Sequence, residues 1–235
     1  MEEQVLPRHV GIIMDGNGRW AKNRGLSRKM GHSAGAQTFR KIVRHCQKRG
    51  IPYLTVYAFS TENWKRPQEE VQALLKLFDQ YLDEVKQYAD ENVRLIFIGD
   101  RSVFTPSIQG KMNTAEEKSQ KNTGMTLNVA FNYGGRAELV QAMQRIAKAV
   151  QNGALSPDRI TEKTIDDFLY THGQPDVDLI IRPSGEYRLS NFLIWQSAYA
   201  EYVFMDHILW PDFSAQDFDA ALDEFSKRNR RFGAI

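Results

Sequence analysis

A single carboxylate, Asp15, closes a short apolar run at residues 10–14 and is followed at once by a glycine-rich string at 16–18. Residues 16–61 contain no Asp or Glu but ten Lys or Arg. A carboxylate at a strand end can hold a hard cation such as Mg²⁺. Glycine backbone amides, joined by arginine or lysine side chains, suit a phosphate group. The pattern predicts a site for a metal–phosphate ligand.

Three more polar clusters follow apolar runs, at residues 60–66, 132–136 and 182–190. The last contains two arginines, Arg182 and Arg188, beside serines and a glycine, which suits a diphosphate. Simpler interpretations stay open at this point. The glycine string fits a turn that binds nothing, residues 60–66 fit a helix-capping loop, and the two arginines fit ordinary surface ion pairs.

Two other chemistries are disfavoured. The spacing Gly16-x-Gly18-x-x-Ala21 weakly matches a dinucleotide-binding turn, but that site needs an acid about 20 residues later, and the acid-free tract removes it. Asp166 and Asp167 resemble the start of an aspartate-rich motif, but they lie in a helical pattern and are interpreted as solvated carboxylates.

Short apolar runs alternate with helical patterns along the whole chain. The predicted strands are 9–14, 53–59, 94–98, 126–131, 178–182 and 202–205. Helical faces run from Phe39 to Cys46, from Pro67 to about residue 91, over 102–121 and 139–150, and from Ser214 onward. This alternation predicts one α/β domain over residues 1–235, with a mainly parallel central sheet flanked by helices. The carboxyl ends of parallel strands meet at one edge, so all four polar clusters are expected there.

Composition narrows the class of protein. The 235 residues are 42% hydrophobic and 26% charged, with a net charge of only +2, which argues against a nucleic-acid partner. The single cysteine, Cys46, lies on an apolar helix face and is predicted to be core. The sequence contains neither a signal-peptide pattern nor an apolar run long enough to cross a bilayer, so we expect a cytoplasmic protein.

The polar clusters belong to longer strings that match a known family. The strings are His9-Val-Gly-Ile-Ile-Met-Asp15-Gly-Asn-Gly-Arg-Trp20, Gly31-His32-x-x-Gly35, Tyr57-Ala-Phe-Ser60-Thr-Glu-Asn63-Trp64-x-Arg66-Pro67-x-x-Glu70, Asn132-Tyr-Gly-Gly-Arg136, Asp178-Leu-Ile-Ile-Arg182, Gly185-Glu186-x-Arg188-x-Ser190-Asn191 and Arg231-Phe-Gly233. The chain closely resembles the cis-prenyltransferases, in particular the bacterial undecaprenyl diphosphate synthase-like isoprenyl transferases.

The resemblance implies an activity and its requirements. Members join isopentenyl diphosphate to an allylic diphosphate such as farnesyl diphosphate and make a Z double bond at each step. The resemblance also implies Mg²⁺, a hydrophobic tunnel and a homodimer, with undecaprenyl diphosphate for the cell-wall lipid carrier as the expected product. A lipid product further predicts transient contact with the inner face of the membrane. A shorter-chain synthase and a non-catalytic accessory subunit are the alternatives.

The resemblance assigns roles position by position. The catalytic positions are Asp15 and Asn63, and the Mg²⁺ positions are Asp15 and Glu201. The allylic diphosphate would be held by Gly16, Asn17, Gly18, Arg19, Arg28 and His32, and Trp20 lies in the string that binds the allylic substrate. Further substrate-binding positions are Ser60, Thr61, Glu62, Trp64 and Arg66, and, on the isopentenyl side, Arg182, Arg188, Leu189 and Ser190. Arg231 and Gly233 would reach the isopentenyl site of a partner subunit.

The hydrocarbon product needs an apolar channel. We expect the apolar face of helix 68–91, together with residues 95–98, to line it. On this hypothesis Phe97→Ala alters product length.

Overall fold

The centre of the molecule is a six-stranded parallel sheet. The structure is a computed structural model that describes residues 5–84, 88 and 90–228, without the side chain of residue 84. The strands are β1 (His9–Ile13), β2 (Tyr53–Ser60), β3 (Arg94–Ile98), β4 (Thr126–Tyr133), β5 (Leu179–Pro183) and β6 (Glu201–Met205). Their order is β3-β4-β2-β1-β5-β6, and every neighbouring pair is parallel. The predicted α/β fold is confirmed.

Seven α-helices of the described residues surround this sheet. They are α1 (Asn17–Asn23), α2 (Arg28–Lys48), α3 (Gln68–Glu84), α4 (Pro106–Ser119), α5 (Gly135–Gln151), α6 (Glu162–Phe168) and α7 (Ala215–Lys227). A 3₁₀ helix, Thr61–Lys65, connects β2 to α3, and another, Trp210–Asp212, precedes α7. Helix α1 was not predicted, and α2 begins 11 residues before Phe39, the first residue of its predicted apolar face.

The sheet is buried on both faces, which explains its uninterrupted apolar strands. All five residues of β1 are buried. Because side chains alternate along a strand, Val10 and Ile12 join the larger core, which includes residues of α2, α3 and α7. Ile13 and Tyr57 belong to a second core on the opposite face, where Tyr57 stacks on Phe192 with ring centroids 4.6 Å apart.

Two helices illustrate how the local sequence sets their limits. In α2 the predicted apolar face is buried, including Phe39 and Cys46. Helix α7 begins at a capping box, as predicted. The Asp217 amide donates to Ser214 Oγ at 3.3 Å, and the Ser214 amide donates to the Asp217 carboxylate at 2.8 Å.

The parallel topology brings the predicted polar clusters to one edge of the sheet. The strands β1, β2, β4 and β5 each end at that edge, so residues 15–20, 60–66, 132–136 and 182–190 all lie at or just after strand ends there. Within the described part of the chain, no helix combines the length and apolar character needed to cross a membrane.

Candidate active site

Asp15 is the point at which the loops after β1 and β5 meet. Its Oδ2 accepts hydrogen bonds from Arg182 Nη2 at 2.9 Å and from Ser184 Oγ at 2.9 Å. Arg19 Nη2 lies 3.4 Å from the same oxygen, and the Gly16 amide donates to Oδ1 at 2.6 Å. The contacts form because β1 and β5 are neighbours and Arg182 lies on β5, beside the carboxyl end of β1.

The surroundings of Asp15 keep its carboxyl group ionised. Partial burial would raise the pKa, but the hydrogen bonds from Arg182 and Ser184 and the charges of Arg182 and Arg19 outweigh burial, so the pKa lies below its usual value. Arg182 is only 3% exposed, so its guanidinium group depends on Asp15 as a counter-ion. The site therefore presents a fixed anion beside two arginines.

Glycines allow the chain after Asp15 to turn into α1 and to pack closely on α2. Gly16 has a φ of +103°, and a Cβ there would lie 2.9 Å from Leu209 Cδ2. A Cβ on Gly31 of α2 would lie only 2.1 Å from the Asn17 carbonyl oxygen. Asn17 Oδ1 is buried against Gly35 of α2 and has no hydrogen-bond partner among the described residues.

A cavity of about 730 Å³ opens beside Asp15 and carries mainly positive charge. Its lining residues are Met14, Asp15, Gly16, Asn17, Gly18, Arg19, Lys22, Gly25, Leu26, Arg28, His32, Arg66 and Glu70. Seven of the predicted substrate-binding positions are therefore brought together: Gly16, Asn17, Gly18, Arg19, Arg28, His32 and Arg66.

Glu70 organises the far wall of this cavity. Its carboxylate lies 2.8 Å from Arg28 Nη1, 3.0 Å from Arg66 Nη1 and 3.5 Å from His32 Nε2. Burial would raise the pKa of Glu70, but the charges of Arg66 and Arg28 lower it below its usual value. Sequence reasoning assigned Glu70 no role, although the four-residue spacing from Arg66 within a helical pattern was a usable signal.

His32 faces the same wall in its neutral form. Burial lowers its pKa, and the charge of Arg66 lowers it further, against the raising effect of Glu70. At neutral pH the ring therefore offers one donor and one acceptor instead of a positive charge.

A small apolar cavity of about 110 Å³ adjoins the charged one and shares Met14, Asn17 and His32 with it. Its other lining residues are Gly35, Ala36, Phe39, Val56, Tyr57, Ala58, Leu74, Leu77, Phe78, Tyr81, Val129, Phe131 and Trp210. Helix α3 thus lines the cavity as predicted, whereas residues 95–98, all of them described, do not. Phe78 stacks on Phe131 with centroids 3.6 Å apart.

The loop after β5 wraps around Arg182. Arg182 Nη1 donates to Ser190 Oγ at 2.9 Å and also to the Arg188 carbonyl oxygen. Arg188 pairs with Glu186 at an exposed position, and the partly buried Leu189 packs against the second core. The buried Arg182 therefore organises Asp15 and the loop, while Arg188 is the more accessible cation.

Residues 60–66 form a capped 3₁₀ helix directed toward the loops after β4 and β5. Asn63 Oδ1 accepts from the Ser60 amide at 3.0 Å, so the capping interpretation holds for this pair. Trp64 Nε1 donates to Asn132 Oδ1 at 2.7 Å. Glu62 Oε1 accepts from Asn191 Nδ2 at 2.9 Å. In this segment only Arg66 lines the 730 Å³ cavity.

Two further predicted site residues lie outside the charged cavity. The Trp20 ring is held by a hydrogen bond of 2.7 Å to Asp212 and by the Arg24 guanidinium 4.3 Å from its centroid, outside the lining of the charged cavity. Glu201 begins β6 opposite Leu179, at the amino edge of the sheet, where it pairs with Arg228 at 2.8 Å. Arg231 and Gly233 lie outside the described residues.

Comparisons with known proteins agree with this geometry. A family model described as "Putative undecaprenyl diphosphate synthase" matches residues 13–233. An isoprenyl transferase of Clostridium perfringens is 50% identical over 234 residues, covering 99% of this chain and 92% of that protein. The ditrans,polycis-undecaprenyl-diphosphate synthase ((2E,6E)-farnesyl-diphosphate specific) of Escherichia coli (strain K12) is 52% identical over 227 residues, covering 96% and 89%.

Solved structures show the same fold. Lavandulyl diphosphate synthase from Lavandula x intermedia, crystallised with dimethylallyl diphosphate, matches with a TM-score of 0.94 at 38% identity, covering 98% of this chain and all of that one. A probable undecaprenyl diphosphate synthase from Campylobacter jejuni matches with a TM-score of 0.80 at 34% identity, covering 99% and 100%. The chain belongs to the undecaprenyl diphosphate synthase family of prenyl-transferring enzymes, and the resemblance of its sequence strings is confirmed.

Proposed function

We propose that this protein condenses isopentenyl diphosphate with an allylic diphosphate, starting from farnesyl diphosphate, to make undecaprenyl diphosphate for the cell-wall lipid carrier. A new bond joins isopentenyl C4 to allylic C1, the allylic C1–O bond breaks, diphosphate leaves, and isopentenyl C2 loses a proton. One observation carries the proposal: the cation-lined cavity at Asp15 opens directly beside an apolar one. A diphosphate joined to a hydrocarbon needs both.

The allylic diphosphate belongs in the charged cavity. Negative charge grows on the leaving diphosphate as the C1–O bond breaks, and fixed cations stabilise it there. Arg19 and Arg28 line this cavity, and neutral His32 adds a hydrogen bond. The hydrocarbon then enters the apolar cavity between α2 and α3, away from water.

The isopentenyl diphosphate belongs beside the loop after β5. Arg188 and Ser190 are the binding groups, and Arg182 fixes the position of Ser190 relative to Asp15 by donating a hydrogen bond to each. Holding the two diphosphates on either side of Asp15 sets the distance between the reacting carbons. Asn63 is a weak base, and its oxygen is engaged by the Ser60 amide, so its role is to orient the substrate.

Mg²⁺ fits this site as an ion shared with the substrate. Mg²⁺ in phosphate enzymes is commonly held by one or two carboxylates plus phosphate oxygens and water. Asp15 supplies one such carboxylate, and among the described residues its Oδ1 accepts a hydrogen bond from the Gly16 amide alone. The described residues contain no group of three or more His, Cys, Asp or Glu that could hold a metal alone. When bound, the ion would neutralise charge on the diphosphate.

Glu201 remains a predicted metal position. Within this chain its carboxylate pairs with Arg228, so that ion pair would have to separate for Glu201 to bind a metal ion. We propose a homodimer, the assembly in which Arg231 and Gly233 would serve a partner. Its support is the edge position of β6 in the described sheet, next to the exposed aromatic side chains of Tyr187 and Tyr199. Light scattering on the full-length protein measures the oligomeric state, and a monomer at micromolar concentration would contradict a homodimer.

A shorter-chain synthase is the second candidate, and the small apolar cavity favours it. Incubating the protein with labelled isopentenyl diphosphate, farnesyl diphosphate and Mg²⁺, then sizing the product, separates the candidates. A product that migrates with an undecaprenyl standard supports the main proposal, and shorter Z-prenyl products support the second. No Z-prenyl product at all would refute both and favour an accessory subunit.

We place the protein in the cytoplasm, with transient contact at the membrane surface when the product leaves. The support is chemical, because a long prenyl diphosphate is far more soluble in a bilayer than in water. Product release into lipid vesicles, compared with buffer alone, measures this contact.

A further inference from the structure

Asn191 joins three segments that are distant in sequence. Its carbonyl oxygen accepts from the Gly135 amide at 2.7 Å, and its Oδ1 accepts from the Arg136 amide at 2.9 Å. These are the first two amides of α5, which has no side-chain cap of its own. Its Nδ2 donates to Glu62 Oε1 at 2.9 Å. Asn191 thus ties the β5 loop both to α5 and to the 3₁₀ helix after β2.

The contact with Glu62 spans the carboxyl end of β1. In the sheet, β1 lies between β2 and β5, so a hydrogen bond between the loops after β2 and β5 bridges the two sides of the strand that precedes Asp15. Burial would raise the pKa of Glu62, but the hydrogen bond from Asn191 and other local hydrogen bonds lower it below its usual value. The pair is therefore a charge-assisted hydrogen bond.

The same contacts fix the conformation of Ser190. Ser190 and Asn191 both have positive φ, 51° and 65°. Asn adopts this region readily, whereas Ser does so rarely and is held there by its surroundings. Ser190 Oγ accepts from Arg182, and Arg182 in turn donates to Asp15. A shift of Asn191 would therefore move Ser190 first and the Arg182–Asp15 pair after it.

We propose that Asn191 is a positioning residue: through its hydrogen bond to Glu62 it holds the isopentenyl-binding loop at a fixed distance from the allylic site. The inference rests on the proposed function, and it names the residue that sets the distance between the allylic and isopentenyl binding sites. A 1 Å change in the placement of a reacting group can cost a hundredfold in rate.

Exchanging the two side-chain chemistries tests the pair. Asn191→Asp keeps an oxygen for the Arg136 amide, and a carboxylate is favourable at the start of a helix. It also replaces the Nδ2 donor by an oxygen facing the Glu62 carboxylate. Adding Glu62→Gln restores a donor on the opposite side. Glu62→Gln alone keeps an oxygen that Asn191 Nδ2 can use and removes the charge, so it is the reference against which the double variant is compared.

The expected result for Asn191→Asp is a rise in KM for isopentenyl diphosphate of about tenfold or more, with a smaller change in KM for the allylic diphosphate. The melting temperature should stay within about 3 °C of wild type. In the double variant N191D/E62Q, KM for isopentenyl diphosphate should return to within about threefold of the value for Glu62→Gln alone. Asn152→Asp, at the exposed C-terminal end of α5, is the matched control for added charge.

Two outcomes would overturn the inference while leaving the proposed function intact: wild-type kinetics for N191D, or a double variant as impaired as N191D alone. A fall in melting temperature that accounts for the whole kinetic loss of N191D would likewise assign Asn191 to stability and not to positioning. A wild-type protein that forms no prenyl product would instead overturn the proposed function and, with it, this role.

Discussion

At the scale of single residues, the site is built from charges that restrain one another. Asp15 fixes Arg182 and Arg19 on one side, and Glu70 fixes Arg28 and Arg66 on the other. Each carboxylate has a depressed pKa, so both stay ionised at neutral pH. The two differ in exposure, because the side chain of Asp15 is 32% exposed and that of Glu70 is 9% exposed.

Asp15→Asn should reduce kcat by about 10²–10³-fold, because the amide cannot hold a metal ion or neutralise Arg182. Some stability is lost too, since Arg182 is left as a buried cation, but the exposure of Asp15 moderates that cost. Steady-state kinetics and thermal melting, measured on the same preparation, separate the two effects. A variant with wild-type turnover would remove Asp15 from the chemistry.

Glu70→Gln should tighten the binding of inorganic diphosphate about three- to tenfold. In the wild type, an incoming diphosphate competes with the Glu70 carboxylate for Arg28 and Arg66, and removing the negative charge ends that competition. Isothermal titration calorimetry measures the change, with Glu69→Gln as the control on the exposed neighbouring residue. Weaker binding would mean that Glu70 chiefly orients these cations.

The sequence could predict the Asp15 cluster but not all of its partners. Because β1, β2, β4 and β5 were recognisable as parallel strands, the rule that their carboxyl ends meet placed Asp15 near Arg182. Glu70 is a different case, since its contacts with Arg28 and His32 depend on how α2 packs against α3. The family resemblance placed Trp20 in the string that binds the allylic substrate, and the turn of α1 directs its ring to Asp212.

At the scale of elements, close packing determines where a helix forms when the sequence pattern alone does not predict it. Helix α1 escaped prediction because the glycines around it lower helix propensity. It forms where Gly31 and Gly35 of α2 let the Asn17 backbone and side chain approach within distances that a Cβ would forbid. In α3, by contrast, the apolar periodicity was strong enough to predict both the helix and its role in lining the apolar cavity.

Phe78→Leu should lengthen the product, because Phe78 lines the apolar cavity and its stack on Phe131 limits the space beyond. Phe97→Leu is the matched control. Phe97 is 2% exposed and contacts the Phe78 ring edge-on at 6.0 Å, but it does not line the cavity. Both substitutions should lower the free energy of unfolding by about 1–2 kcal/mol.

The readout for this pair is the product length after sizing, with melting temperature recorded for both variants. A longer product from Phe78→Leu alone assigns the limit to the α2–α3 cavity. Equal lengthening by both variants would show that loosening of the core matters and not the cavity wall.

At the scale of the whole molecule, the polar groups at the two edges of the sheet have different surroundings. Polar groups at the carboxyl edge face cavities, and Asn17 Oδ1 there lacks a partner. Toward the amino edge, polar groups are buried and bonded to one another. The Thr55 hydroxyl lies 2.7 Å from His9 Nε2, and Asn128 bonds to both Thr55 and Gln174. The amino half therefore contributes stability, and the carboxyl edge contributes chemistry.

His9 makes that stability dependent on pH. Its Nδ1 donates to the Pro175 carbonyl oxygen at 2.8 Å, so Nε2 accepts the Thr55 hydroxyl and the ring is neutral. Burial lowers its pKa from 6.5 to about 4, against the raising effects of the Pro175 hydrogen bond and the nearby Asp178. Below pH 6.5 the unfolded chain takes up a proton that the folded chain refuses until about pH 4. The contribution of His9 to the free energy of unfolding is therefore fully present above pH 6.5 and declines as the pH falls from 6.5 to about 4.

Between about pH 7.5 and pH 5, the free energy of unfolding should fall by on the order of 2 kcal/mol because of His9. Urea unfolding at several pH values measures the slope. His9→Asn should be less stable at neutral pH because it disrupts the bonds to Thr55 and Pro175, but it should lose this part of the slope. His172→Asn, at an exposed position, should keep the wild-type slope. If the free energy of unfolding of His9→Asn depended on pH as strongly as that of the wild type, the acid sensitivity would belong to other groups. The buried hydrogen bonds of His9, Thr55 and Asn128 would then contribute to stability alone.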